Sequence, residues 1–265
     1  MMITSSTRHL LQALCLIPSL AVAPDDYDHV ARLIEPKSIR IHDLHEVARK
    51  TSSGVFLEYR RETDNARLIL MFGTETTSDP DRELNFRLAT MGARDSLTEK
   101  LTTWSGFPMG ELGVVRGGRV SVAGCLFGQS GLSVWWNLPK GAPDAPEEEL
   151  EAIEGIVRWG VARIEGSKLG SEESLTVRGK RLPSRRAPSG LILVDVEAWC
   201  QAQDLTVAKN DVLGTISFVR SDRRTIVPLG SYAFKTGSNW WQSSYVNCVR
   251  NGRWFVPLDA LEERT

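Results

Sequence analysis

The chain has 265 residues, 42% of them hydrophobic and 25% charged, which are the proportions of a globular chain and exclude a disordered or fibrous one. Lys and Arg total 32 against 33 for Asp and Glu, a formal net charge of -1, so the chain as a whole has no pull toward nucleic acid or acidic membranes. This length suits one large domain or two small ones.

The N-terminus carries Arg8 and then an apolar run from Leu10 to Val22. That run is shorter than the roughly 20 residues a membrane-spanning helix needs. Small residues at Ser19, Ala21 and Ala23 fit a small-x-small cleavage pattern, so residues 1–23 are predicted to be a secretory signal peptide. Pro24 just after the cut resists the peptidase, so cleavage after Ala21 stands beside cleavage after Ala23. The competing reading, an amphipathic first helix of a cytosolic domain, lacks a polar face. The mature protein is therefore expected to be exported: periplasmic, secreted or on the cell surface, with no transmembrane span after cleavage. Removing Arg8 with the signal leaves a net charge of -2. Removing Cys15 leaves Cys125, Cys200 and Cys248, an odd number that cannot pair completely. Export permits a disulfide, and Cys200–Cys248 is the expected pair; three buried free thiols are the alternative.

Residues 24–165 read as a first domain of no recognised family. Val55–Tyr59 and Arg67–Phe72 look like strands joined by a turn at Glu62–Asn65, a hairpin. Asp79–Pro80 opens a helix with an apolar stripe at Leu84, Leu88 and Met91. Arg119–Phe127 and Leu132–Leu138 are further strands, joined at Gly128–Gln129–Ser130–Gly131, with one more expected near Gly113–Val115. A helix is predicted from Pro146 to Ile164. Glu147, Glu148 and Glu149 suit its N-terminus, Leu150, Ile153, Val157, Val161 and Ile164 line one face, and Gly166 is expected to close it. The ββαββα order predicts an α+β arrangement with helices on one face of the sheet.

Residues 166–173, with Gly166, Ser167, Gly170 and Ser171, read as a linker. Beyond it the strands are short and an internal repeat appears. Gly190–Trp199 lies 62 residues before Gly252–Leu261, and each copy reads as a turn glycine, an apolar strand and a helix start. Asn251–Gly252–Arg253–Trp254–Phe255–Val256–Pro257–Leu258 resembles the N-G-R-x-x-V-P-L hallmark of the copper amine oxidase N-terminal-like domain, also called the stalk domain. Leu229–Gly230–Ser231 and the copy at Gly190–Ala198 are also similar to that family, so the resemblance covers residues 174–265. The departures are Asp195, where the first copy often has proline, and Asp259 in place of arginine. Copper and the quinone cofactor belong to another domain of those oxidases. The resemblance therefore implies an exported bacterial accessory module with no cofactor and no catalytic residues.

Little in the chain suggests a reaction. No Asn-Tyr pair exists to make a quinone. His42–Asp43–Leu44–His45 is the only histidine cluster, and two histidines without a distant third ligand rarely hold a metal. Ser130 lacks the glycine spacing of a nucleophile elbow, and Cys125 alternates within a strand. Two features point to binding. Trp240 and Trp241, with Tyr245 near by, place an indole on each face of a strand, and a solvent-facing indole stacks on sugar rings; packing into a small core is the alternative. Arg178, Lys180, Arg181, Arg185 and Arg186 put five cations in nine residues, suited to anionic wall polymers or phosphate head groups or, equally, to a solvated hairpin tip.

The sequence thus predicts two small α+β domains behind a signal peptide, each a mostly antiparallel sheet with one or two helices. The expected function is that of a non-enzymatic exported protein docked on envelope polysaccharide or an envelope protein, with nucleic acid excluded. An exported enzyme with its site in residues 24–165, anchored by the stalk-like domain, is the alternative. A structural part of a surface complex is the third.

Overall fold

The computed structural model describes residues 27–36, 41–52, 54–73, 112–113, 121–127, 132–139, 141–143 and 145–263. The expected signal peptide, the Leu84–Leu88–Met91 stripe and the Gly128–Gln129–Ser130–Gly131 turn lie outside these residues, as do the side chains of Cys125, Leu150 and Trp240.

The first half comprises α1 (Tyr27–Ile34), β1 (Leu44–Lys50), β2 (Val55–Arg61), β3 (Arg67–Phe72), β4 (Leu112–Gly113), β5 (Ser121–Phe127), β6 (Leu132–Leu138) and α2 (Glu147–Ser167). Its six strands form one sheet in the order β1-β2-β3-β6-β5-β4. Alternation decides which face is covered: Val55, Leu57 and Tyr59 on β2 and Leu68, Leu70 and Phe72 on β3 are buried. The β2–β3 turn is fixed by Asp64, which accepts from the Ala66 amide at 3.0 Å and from Arg61 Nη2 at 2.6 Å. Helices α1 and α2 cover the buried face with Val30, Ala31 and Ile34 and with Ile153, Ile156, Val157, Val161 and Ile164.

The second half contains two sheets. One joins β7 (Glu173–Val177), β8 (Lys180–Arg186), β9 (Ile192–Asp195), β15 (Cys248–Arg250) and β16 (Arg253–Pro257) in the order β15-β16-β9-β8-β7. The other runs β10 (Val207–Asn210), β11 (Thr215–Arg220), β12 (Arg223–Pro228), β13 (Ala233–Thr236) and β14 (Asn239–Gln242) in sequence order. Helices α3 (Val196–Ala202) and α4 (Leu258–Glu263) follow β9 and β16. Every strand pairing is antiparallel among the described residues, and the chain is an α+β protein.

The repeat explains the centre of the first of these sheets. β9 and β16 pair with Val194 opposite Val256, flanked by Leu193 opposite Pro257 and Asp195 opposite Phe255. Val194 and Val256 are equivalent positions of the two copies, 62 residues apart. The copies therefore meet about a local two-fold axis through that pair. Asp195, aligned with Pro257, acts as a cap: its Oδ1 accepts from the Glu197 and Ala198 amides at 3.0 and 3.2 Å and closes the N-terminus of α3.

This repeat sheet is a middle layer with both faces buried. Leu193, Phe255 and Cys248 belong to the core shared with the first half. Their neighbours Val194, Val256, Trp254 and Val249 belong to a second core with α3 and the β10–β14 sheet. Cys200, on α3, sits in that second core. The expected Cys200–Cys248 bridge is therefore not formed: both are buried free thiols, and they lie on opposite sides of the middle sheet.

Helix α2 connects everything. It does not close at Gly166 as predicted but continues to Ser167. A Cβ at Gly166 would lie 1.9 Å from the Val249 carbonyl oxygen, so this glycine serves close approach to β15, not termination. A Cβ at Gly155 would lie 1.7 Å from the Val212 carbonyl oxygen. The segment expected as linker, 166–173, is the end of α2, a tie from the Gly170 amide to the Arg186 carbonyl at 2.9 Å, and the first residue of β7. Flanking Gly155, Arg158 and Glu154 form a buried ion pair, Nη2 to Oε1 2.6 Å, with Arg158 also donating to the Leu229 carbonyl.

Two outcomes follow for solution. Gly155→Ala and Gly166→Ala each drive a methyl into backbone and are expected to lower stability in urea titration by about 2–3 kcal/mol or more. Gly170→Ala, whose Cβ would sit 3.6 Å from its nearest neighbour, is expected to be close to neutral. Burial pushes the Cys200 thiol up to about 12 and Cys248 well up, so at pH 8 neither reacts with iodoacetamide until urea unfolds the chain, and reduction changes nothing.

Candidate functional site

Among the described side chains, the binding residues expected from sequence are spread over several elements. Trp241 packs face to face on Phe234, ring centroids 4.4 Å apart, and donates from Nε1 to Thr236 Oγ1 at 3.3 Å. It is half-buried and packs against the second core. Trp240 stands opposite Lys235 in the β13–β14 register. Tyr245 is half-buried and donates to Glu165 Oε2 at 3.1 Å, tying the segment preceding β15 to α2. Burial, with the Glu165 charge beside it, pushes its hydroxyl well up.

The five cations split. Arg185 is buried at 7% exposure, donates to the Gly170 carbonyl at 2.7 Å, pairs with Glu172 and lies over the Phe255 ring. Arg186 pairs with Glu173 across the β7–β8 ladder. Arg185 is thus built into the fold, while Arg186 sits in an exposed surface pair. Arg178, Lys180 and Arg181 are exposed at the tip of the β7–β8 hairpin, where Arg178 and Gly179 have positive φ. Lys180 Nζ donates to the Ala202 carbonyl at 2.8 Å and Arg178 to Gln203 Oε1 at 2.9 Å, so the tip rests on the last turn of α3. A cation at a helix C-terminus is favoured by the helix dipole.

A second set of cations, which motif reading did not pick out, lies near by: Arg220, Arg223 and Arg224 around the β11–β12 turn, with Ser221 and Asp222 at positive φ. Its only sequence signal was a short Arg-Ser-Asp-Arg-Arg run, ordinary in isolation. More telling is the division of charge. Residues 174–265 hold 13 Lys and Arg against 8 Asp and Glu, a net of +5, which leaves 19 against 25 in residues 1–173, a net of -6. The near-zero total conceals an acidic half and a basic half.

The first half has its own concavity, an open groove of about 320 Å³ lined by Glu35, Pro36, Ile41, Leu44, Glu46, Arg49 and Tyr59. β1 forms one wall and is the edge strand of its sheet, bulged between Glu46 and Ala48. Arg49 bridges Glu35 and Glu46, Nη2 lying 2.7 Å from each, and Tyr59 donates to Glu46 Oε2 at 3.2 Å. The Arg49 hydrogen bond holds Glu46 below the ordinary carboxylate range; burial pushes the Tyr59 hydroxyl well up; and the two carboxylates push Arg49 up. Each shift moves its group away from neutral pH, the reverse of what proton transfer requires. A narrower crevice beyond Glu35 is bounded by Trp159 and Arg163, whose guanidinium lies over the Trp159 ring and donates to the Leu33 carbonyl.

His42 is in a turn and His45 on β1, not on one helical face, and His45 lies 3.7 Å from Glu62. Among the described residues no group of three His, Cys, Asp or Glu side chains is placed to hold a metal. Among them, too, no helix is long and apolar enough to cross a membrane.

The groove gives a pH expectation. A carboxylate held low in the folded state adds stability above its unfolded value and loses it as pH falls through the folded one. Glu46 and Asp64 are both held low by arginine, so urea midpoints are expected to drop as pH falls from 5 toward 3, and less steeply in Glu46→Gln. Compared with protein-family models, curated proteins and solved structures, the chain matches none.

Proposed function

We propose that this chain is an exported, non-enzymatic accessory protein that docks on the cell envelope, or on an envelope partner, through its basic second half. The observation that carries this reading is the charge division, +5 in residues 174–265 against -6 before them. A polarised chain orients itself on an anionic surface, its acidic half held away. The resemblance of Asn251–Leu258 to the stalk-domain hallmark supports the same reading, as does the signal-like N-terminus. The first half then offers its groove to a ligand, and the paired Glu46 and Arg49, with the neutral Tyr59 hydroxyl bonded to Glu46, favour binding over acid–base chemistry.

The test is co-sedimentation of the purified mature protein with isolated envelopes. Retention at 50 mM salt and release by 300 mM are expected, because exposed charge pairing is screened at that ionic strength. Failure to pellet at low salt overturns the docking reading. Intact mass of protein recovered from outside the cytoplasm is expected to begin at Val22 or Pro24; an uncut N-terminus overturns export by a cleaved signal.

A further inference from the structure

The two basic hairpin tips of the second half lie at the same end of its core. The β7–β8 tip rests on Ala202 and Gln203. Four residues after Gln203, Val207 opens β10 and pairs with Phe218 on β11. Two residues after Phe218 comes Arg220, opposite Arg223 across the β11–β12 turn. Leu205 and Val207 pack on the second core, so this connection is seated and does not loop away. Alternation puts Arg220 on the same strand face as Phe218, and Arg223 on the same face as Thr225; Phe218 belongs to the second core, the one that α3 covers. At about 3.5 Å per residue and about 5 Å across a strand pair, Arg220 lies at most about 26 Å from Gln203, on which the other tip rests.

Around this end stand six cations, Arg178, Lys180, Arg181, Arg220, Arg223 and Arg224, against two acids, Asp204 and Asp222. All but Arg220 are exposed, and Arg224 is oriented by donating to Ser217 Oγ at 3.0 Å. Five of the six are arginine, whose planar fork grips a phosphate bidentately where lysine supplies only a point charge. A single phosphate carries at most about -2 at neutral pH, too little to neutralise six cations. A ligand that uses both tips must repeat its anionic groups along a length comparable to their separation.

We infer that the β7–β8 and β11–β12 tips together form one docking surface for a linear polymer that carries phosphate groups along its length. The inference rests on the envelope-docking reading and names its ligand class. Arg185 takes no part, being buried and paired with Glu172, and Arg186 is paired with Glu173 away from the hairpin turn. The surface works by exchange of condensed counterions for guanidinium groups, so its affinity falls steeply with salt.

The probe is inorganic polyphosphate of roughly fifty units, compared with orthophosphate and with vesicles containing anionic phospholipid. Affinity is read by fluorescence anisotropy of labelled polymer and by vesicle co-sedimentation, at 50 and 200 mM salt. Wild type is expected to bind polyphosphate at least tenfold more tightly at the lower salt and to bind orthophosphate hardly at all. The double variant Arg223→Glu with Arg224→Glu and the single variant Arg181→Glu are each expected to lose at least fivefold in affinity and to flatten the salt slope. A first-half variant of equal charge change, Lys50→Glu with Arg60→Glu, is expected to lose less than twofold. Equal urea midpoints exclude misfolding, since all these side chains are exposed. If the tip variants match the first-half control while wild type still pellets with envelopes, the two-tip surface is overturned and the docking reading stands. If vesicles compete as well as polyphosphate, a lipid surface replaces the polymer. If wild type binds neither envelopes nor any probe, both readings fail.

Discussion

Helix α2 serves both halves of the molecule because two of its positions carry no side chain where backbone from the second half arrives. Gly155 admits the Val212 carbonyl and Gly166 admits the Val249 carbonyl at distances that any Cβ would forbid. A third glycine, Gly160, lets Ile34 and Leu132 of the first half close on the helix. At Gly230 the contact is reversed: the second half removes its own side chain to reach the Arg158 backbone, and φ there is +63°. Close approach makes the buried Glu154–Arg158 pair tenable, since it brings the Leu229 carbonyl to Arg158. A buried ion pair gains little net stability over apolar packing, but it tolerates little displacement of either partner. The glycines set how near the halves come and the pair penalises sliding.

The middle sheet extends that constraint outward. Because both its faces are buried, each of its strands alternates between two cores, Leu193 into one and Val194 into the other. Shifting the sheet by one residue would exchange all those side chains at once. The cysteines illustrate the consequence. They are close enough in sequence pattern to suggest a bridge, yet one hangs below the sheet and the other belongs to the helix above it. The same rigidity fixes the basic tips. The β7–β8 hairpin grows from the middle sheet and rests on α3, while β11–β12 belongs to the sheet that closes the second core. Their spacing is a property of the core and not of flexible side chains.

What was legible in the sequence was local. The β2–β3 hairpin, the apolar face of α2 and the repeat copies at Gly190 and Gly252 all depend on residues within a few positions of one another, and alternation or 3.6-residue spacing exposes them. What was illegible depended on a third element. Gly166 looks like a helix stop until β15 is seen against it. Adjacent tryptophans put one indole on each face of the strand, but nothing in the spacing of residues 240–241 announces that Trp241 is the one that packs on Phe234 across the β13–β14 ladder. The basic run at 178–186 looked like one cluster because it is contiguous. Strand alternation and the Glu172–Glu173 pair divide it, and the cations that rejoin its exposed part come from about forty residues further along.

The two halves therefore answer different physical demands. In the first half, acids and an arginine satisfy one another in a groove, and that mutual bonding fixes their hydrogen bonds and shifts their pKa values away from neutrality. In the second half the excess positive charge is kept at hairpin tips, where desolvation costs little and salt can reach it. A surface built this way associates quickly and releases readily, since exposed charges contribute more to encounter than to residence. Placing the acidic half beyond the shared helix would add orientation if the proposed docking holds: an anionic surface that attracts one end repels the other, and α2, gripped by both halves, ties that end to the groove.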